Sequence, residues 1–130
     1  MSEALAAASA VALGALIGGP ARLFVTEVVA RRAGDAFPWA TLAINVSGSF
    51  AIGAAAAYAG ARGLTTDSFW WLAVVTGVLG SFTTVSSFAL QTLALTKQRR
   101  FMQAFAYVGA SLLLCVGAAA SGFALAGAIR

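Results

Sequence analysis

The sequence lacks histidine altogether, and its 130 residues include one cysteine and four acidic side chains. Histidine is the commonest general base near neutral pH and the commonest transition-metal ligand, so its absence weighs against hydrolytic and metal chemistry. The single cysteine, Cys115, excludes a disulfide within the chain. No nucleophile with a neighbouring base can be assembled from what remains, so the sequence predicts that the protein is not an enzyme.

Charge is also scarce, at 9% of residues, whereas 61% are hydrophobic and the mean hydropathy is +0.91. A soluble domain has about a quarter of its residues charged. This composition predicts a multi-pass protein of the cell membrane, surrounded by the lipid bilayer. The net charge of +4 does not indicate nucleic acid binding, because the basic residues are spread over the ends of apolar segments. Anionic lipid headgroups are the expected partner instead.

Four apolar segments divide the chain, at about residues 4–30, 38–61, 68–96 and 101–129. Each is long enough for the roughly 20 residues of a spanning helix. The connections are short, so we expect one transmembrane domain over residues 1–130. The first segment opens with Ser2 and Glu3 rather than basic residues and is long for a signal peptide, so we expect it to stay in the mature protein.

The third segment is interrupted by small and hydroxylated residues over positions 77–88, GVLGSFTTVSSF. Lipid cannot satisfy free backbone N–H and C=O groups, so irregular backbone at this depth persists only inside protein or beside a polar cavity. The run therefore predicts a helix broken near mid-membrane and an ion or solute site beside the break.

Polar side chains recur every four residues on two of the predicted helices, which places them on one face of each. They are Thr41, Asn45 and Ser49 in the second segment and Tyr107, Ser111 and Cys115 in the fourth. The four acids lie near segment ends, so a cation pathway lacks its usual residues, and the pattern favours an anion pathway. The amide of Asn45 could hold an anion or join two helices, and the residues alone favour the second role.

A third stripe, on the first helix, consists of Gly14, Gly18 and Arg22. The glycines are typical of close helix packing. Arg22 lies within the span, where a charge costs about 2.5 to 3.5 kcal/mol, so it should meet carbonyls, water or a vestibule. Both an anion-attracting and a structural role stay open for it.

These motifs together resemble the Fluc (CrcB) family of fluoride channels. In chain order they are Gly14-x-x-x-Gly18-x-x-x-Arg22, Pro38-Trp39-Ala40-Thr41-Leu42-x-x-Asn45-x-x-Gly48-Ser49-Phe50-x-x-Gly53, Gly80-Ser81-Phe82-Thr83-Thr84-Val85-Ser86-Ser87-Phe88, and Tyr107 with Ser111. The resemblance implies an all-α subunit of four transmembrane helices, with the third broken, that pairs antiparallel. It further implies two fluoride pores and one central, structural sodium ion in each dimer.

The resemblance also implies residue roles. Asn45 would contact fluoride and Phe88 would be a pore phenylalanine, while Thr41, Tyr107 and Ser111 would line the polar track. The main-chain carbonyls of Gly80 and Thr83 would hold the sodium ion. Two positions depart from the family pattern: Val85 stands where a pore phenylalanine is expected, and Cys115 replaces a serine of the track.

Three functions follow as alternatives. The leading one is a passive channel that lets cytoplasmic fluoride leave the cell. The second is a pore-impaired subunit that pairs with a related chain, which the departures at Val85 and Cys115 suggest. The third is a small multidrug-type exporter, which needs a membrane-embedded glutamate, whereas Glu27 lies near the end of the first span.

Basic residues are unequally divided between the two membrane surfaces. One side would carry Arg31, Arg32, Lys97, Arg99 and Arg100, and the other Arg62 and Arg130. By the positive-inside rule, both termini should face outward. A chain with this bias should prefer one orientation, so we expect a heterodimer with a related subunit of opposite bias rather than a homodimer inserted both ways.

Overall fold

The computed structural model describes residues 2–129 and consists of helices joined by short connections. The helices are α1 (Glu3–Ala33), α2 (Trp39–Arg62), α3 (residues 69–82), α4 (Val85–Lys97) and α5 (Phe101–Ala128). The middle of α3, Leu72–Leu79, is π-helical, and α3 and α4 together form the third span. All four spans are long and apolar enough to cross a membrane. The prediction of a four-helix membrane protein is thereby confirmed.

The helix ends differ from the predicted segments by a few residues. α1 continues through Arg31 and Arg32, because its stop signal is Gly34, at a φ of 72°, rather than the first charge. α2 starts directly after Pro38, whose carbonyl accepts the N–H of Leu42 at 3.2 Å. It ends at Gly63, in the left-handed conformation that glycine adopts at little cost.

The glycine stripe of α1 lies directly on α3. A Cβ at Gly14 would come within 2.8 Å of the Gly77 Cα, and one at Gly18 would overlap the Val78 carbonyl and the Ser81 hydroxyl. The two backbones thus touch where side chains would hold them apart, as small residues allow in membranes. The prediction that these glycines form a packing face is confirmed.

A second pair of glycines brings α2 and α5 together in the same way. Gly53 lies against the carbonyl of Ala119, and Gly122 lies against that of Phe50. Towards the other end of these helices a small core of Leu42, Leu95, Ala104 and Tyr107 fills the space between α2, α4 and α5. α2 and α5 thus pack closely along their length, and the second half of the broken span, α4, lies against α5.

The break in the third span is narrower than the run 77–88 suggested. Only Thr83 and Thr84 leave the helical conformation. The preceding hydroxyls bond back into the helix: Ser81 donates to the Gly77 carbonyl at 2.6 Å, and Thr83 donates to the Leu79 carbonyl at 2.9 Å. The expectation of irregular backbone across the whole run was therefore wrong, because serine and threonine can satisfy their polar atoms within a helix.

Candidate functional site

One side chain satisfies the backbone of the break. The Asn45 side-chain amide on α2 donates to the Thr84 carbonyl at 3.0 Å, and its Oδ1 accepts the Thr84 N–H at 2.8 Å. Both backbone groups of Thr84 are thus paired inside the membrane, where water is not available. An amide carries two N–H donors, so one donor of Asn45 stays outside this bond pair.

The break also brings two helix termini of opposite polarity together. The last carbonyls of α3 and the first N–H groups of α4 have no partners within their helices, and they carry partial negative and positive charge respectively. Thr84 caps α4, since its Oγ1 accepts the Ser87 N–H at 3.2 Å. The break therefore offers oxygens that suit a cation and amides that suit an anion, without an ionised side chain.

A cleft of about 370 Å³ opens beside the break, between α2, α4 and α5. It is lined by Asn45, Ser49, Ile52, Thr83, Thr84, Val85, Phe88, Ser111, Leu112, Cys115 and Val116. The structure thus brings most of the predicted pathway residues to one surface, from three helices. The lining mixes amide, hydroxyl and thiol groups with apolar side chains and includes no aspartate or glutamate.

Three aromatic rings pack together next to the cleft. Phe88 packs against Tyr107 with ring centroids 5.2 Å apart, and Phe37 meets the same ring edge-on at 5.6 Å. Tyr107 is fully buried, and its hydroxyl donates to the Gln91 Oε1 at 2.9 Å. Thr41 is buried as well. Thr41 and Tyr107 therefore lie in the protein interior rather than on the cleft surface.

The sequence predicted no role for two polar residues of this region. Thr84 carries the backbone groups that Asn45 binds, and Gln91 holds the Tyr107 hydroxyl. Their spacing gives a signal, since Thr84, at the cap of α4, is followed at helical intervals by Phe88 and Gln91. The sequence predicted no polar stripe in the third segment, because Thr84 lies in the run 77–88, where irregular backbone was expected.

Arg22 stands apart from the cleft. It is half-buried, one turn beyond Gly18, but it does not line the cleft, because α1 packs mainly on α3 whereas α2, α4 and α5 form the cleft. Its place in the ion pathway therefore stays a prediction. Glu27, which an exporter would need inside the membrane, is exposed and pairs with Arg31 one turn away.

The four spans, the broken third helix and the acid-free cleft define a small membrane transport protein. Residues 9–123 match the family described as CrcB-like protein, Camphor Resistance (CrcB), and the chain belongs to this family.

Several relatives are similar to the chain over most of its length. A protein of Rhodopseudomonas palustris (strain BisB18), named Fluoride-specific ion channel FluC 2, is 50% identical over 89% of each chain. The Fluoride-specific ion channel FluC 2 of Bradyrhizobium diazoefficiens is 47% identical, over 90% of this chain and 86% of its own. The Fluoride-specific ion channel FluC 4 of Brucella abortus biovar 1 is 44% identical, over 87% and 86%. The family predicted from the sequence motifs is confirmed.

Proposed function

We propose that the chain forms a passive fluoride channel of the cell membrane, which lets fluoride leave the cytoplasm without any catalytic step. The observation that carries this proposal is the cleft beside the break, where Asn45, Ser111 and the ring of Phe88 share one surface that no acid lines. The relatives named as fluoride-specific channels give the ion.

The chemistry of this cleft suits a small, tightly hydrated anion. A pore must replace the water around fluoride with other donors, and it must not hold the ion too tightly to release it. The second N–H of Asn45 and the hydroxyl of Ser111 can donate, and the positive edge of the Phe88 ring can add a weaker attraction. These groups are neutral, so each attracts the ion without trapping it.

The proposal includes an antiparallel dimer with two pores and one sodium ion between the subunits. Gly80 and Thr83 would hold the ion through main-chain carbonyls, as hard cations prefer oxygen ligands. The fit is supported by the open side of Gly80, where a Cβ would meet nothing closer than the Val75 carbonyl at 3.7 Å, so this face is free of its own subunit. A bound sodium ion would supply positive charge near the anion path.

The first test is transport by the purified chain alone. In liposomes loaded with both anions, we expect fluoride to leave much faster than chloride, because the donors of the cleft suit the smaller ion. Ion-selective electrodes measure both fluxes on the same sample. Equal efflux of the two anions would contradict fluoride selectivity, and no efflux of either would favour the pore-impaired subunit.

The second test concerns Val85, which is 79% exposed at the edge of the cleft. Val85→Phe adds a ring edge, worth about 0.5 to 1.5 kcal/mol in aromatic contacts, so we expect fluoride flux to rise about two- to tenfold. Val85→Leu adds volume without a ring and should leave the flux unchanged. If both variants behave alike, position 85 does not meet the ion through its ring.

We also propose that the subunit pairs mainly with a related chain of opposite orientation, since the basic residues favour one orientation. Numbered names such as FluC 2, FluC 3 and FluC 4 among the relatives are consistent with several such chains in one organism.

The third test is the orientation of the chain expressed without any related subunit. In a Cys115→Ala background, a cysteine appended to the C-terminus should react mainly with an impermeant thiol reagent added from outside the cell. The untagged Cys115→Ala chain gives the background. Equal labelling from both sides would show insertion in both orientations and would support a homodimer.

A further inference from the structure

Two connections meet at one end of the helix bundle and form a second cleft. Arg100, before α5, donates through its guanidinium to the Ala36 carbonyl, between α1 and α2, at 2.5 Å. This bond holds the two connections together around a cleft of about 300 Å³, here named the basic cleft, whose lining includes Phe37, Trp39 and Gln98. The basic cleft lies at a membrane surface, because the two connections around it join the ends of the four spans.

Charge is concentrated at this end of the molecule. Five of the eight basic residues lie on the two connections and the adjoining helix ends, at positions 31, 32, 97, 99 and 100. The acids here are Glu27, which pairs with Arg31, and Asp35, which lines the cleft. Positive charge is therefore in excess, and Arg100 lines the cleft itself.

At the opposite end of the molecule, the charged side chains that line a cleft are acidic rather than basic. A cleft there is lined by Glu3 and Asp67, and the Thr65 hydroxyl lowers the pKa of the Asp67 carboxyl. That acid therefore stays ionised at neutral pH. The two ends would meet an anionic headgroup very differently.

Arg99 occupies a position that favours glycine. Its φ is 58°, and the N–H of Arg100 bonds to the Leu95 carbonyl at 2.9 Å, which makes Arg99 the left-handed residue of a Schellman turn that closes α4. An arginine is strained there, where glycine is not. Strained residues cluster at binding and switch sites, and Arg99 directly precedes Arg100, which lines the cleft.

We propose that the basic cleft binds the phosphate headgroup of an anionic phospholipid, with Arg99 and Arg100 as its cationic partners. Guanidinium groups match phosphate oxygens in geometry and charge. A lipid fits better than a soluble phosphate because Phe37 and the half-exposed Trp39 give the cleft an apolar side at the level of the headgroups. The site does not depend on fluoride conduction.

Trp39 provides a direct probe of this site. In a Trp70→Phe, Trp71→Phe chain, Trp39 is the remaining tryptophan. Reconstituted in phosphatidylcholine, its fluorescence should be quenched by brominated phosphatidylglycerol at a mole fraction about fivefold lower than by brominated phosphatidylcholine, the preference that one basic residue gives at an anionic surface. Arg99→Gly removes one of the two charges yet suits the left-handed turn, so it should weaken this preference and leave the protein folded.

Matched controls distinguish lipid binding in the basic cleft from a general attraction of anionic lipid to basic residues elsewhere on the protein. Arg62→Ala, at the opposite end, should leave unchanged the preferential quenching of Trp39 by brominated phosphatidylglycerol. The Trp39→Phe chain, which retains Trp70 and Trp71 near that end, should be quenched equally by both lipids. Equal quenching of Trp39 by the two lipids, or equal losses in Arg99→Gly and Arg62→Ala, would overturn the proposal. So would loss of the preference on adding soluble glycerol phosphate, which would indicate a site for free phosphate.

Discussion

Asn45→Leu is expected to abolish fluoride efflux and to destabilise the folded subunit. Leucine has nearly the same size but no polar atoms, so the Thr84 N–H and carbonyl lose the partners that Asn45 provides at 2.8 and 3.0 Å. Leaving two buried polar groups without hydrogen-bond partners lowers the free energy of unfolding by about 2 to 6 kcal/mol in total. The unfolding midpoint in detergent and the efflux rate from liposomes measure the two effects separately.

Asn45→Asp distinguishes helix pairing from anion contact. Its carboxylate can still accept the Thr84 N–H but cannot donate to the Thr84 carbonyl, and its charge repels an anion. We expect a smaller loss of stability than for leucine but an equally complete loss of efflux. Ser47→Ala is the matched control, because that exposed hydroxyl donates to the Ala43 and Ile44 carbonyls of its own helix. Normal efflux in Asn45→Asp would exclude contact between Asn45 and fluoride.

Gly18→Ala is expected to prevent the close approach of α1 and α3. The added methyl group would overlap the Val78 carbonyl and the Ser81 hydroxyl, so the helices must separate. Overpacking of this kind lowers the free energy of unfolding by about 1 to 3 kcal/mol. Here one of the overlapped atoms is the Val78 backbone oxygen, which cannot move to another rotamer as a side chain can. We expect a large fall in the unfolding midpoint and in the yield of folded protein on size exclusion.

Gly117→Ala, in the middle of α5, provides the control for this variant. A Cβ at Gly117 would meet no neighbouring helix within 4 Å, although the residue lies inside a membrane-spanning helix as Gly18 does. Alanine favours helix over glycine by about 1 kcal/mol, so this variant should be as stable as the natural chain or slightly more stable. Equal destabilisation by the two alanines would mean that helix contact at Gly18 does not hold the bundle together.

The sequence predicted most readily those features that depend on spacing along a single helix. Gly14 and Gly18 lie four residues apart, and this alone indicated a packing face, which the structure confirms. For Asn45 the residues alone favoured a contact between two helices and left anion binding open, but they did not indicate the partner. Its bond pair with Thr84 joins residues 39 positions apart, a distance over which no local pattern operates.

Other features could not be predicted because tertiary contacts decide them. The π-helical Leu72–Leu79 faces the glycine stripe of α1, and its sequence is typical of any apolar helix. The width of the break depended on whether Ser81 and Thr83 would turn their hydroxyls back onto the helix, which composition does not determine. Gln91 gained its role from Tyr107, which lies on another helix.

The neutral lining of the cleft beside the break has a consequence for acidity. The residues that line it include no aspartate, glutamate, lysine or arginine. The groups that would meet fluoride are amides, hydroxyls, an aromatic ring and the ends of two helices, none of which gains or loses a proton between pH 5 and 7. The conductance of a single pore should accordingly stay constant as a cell acidifies. The fluoride inside the cell, in contrast, rises as the external pH falls, because more of it then enters as neutral hydrogen fluoride.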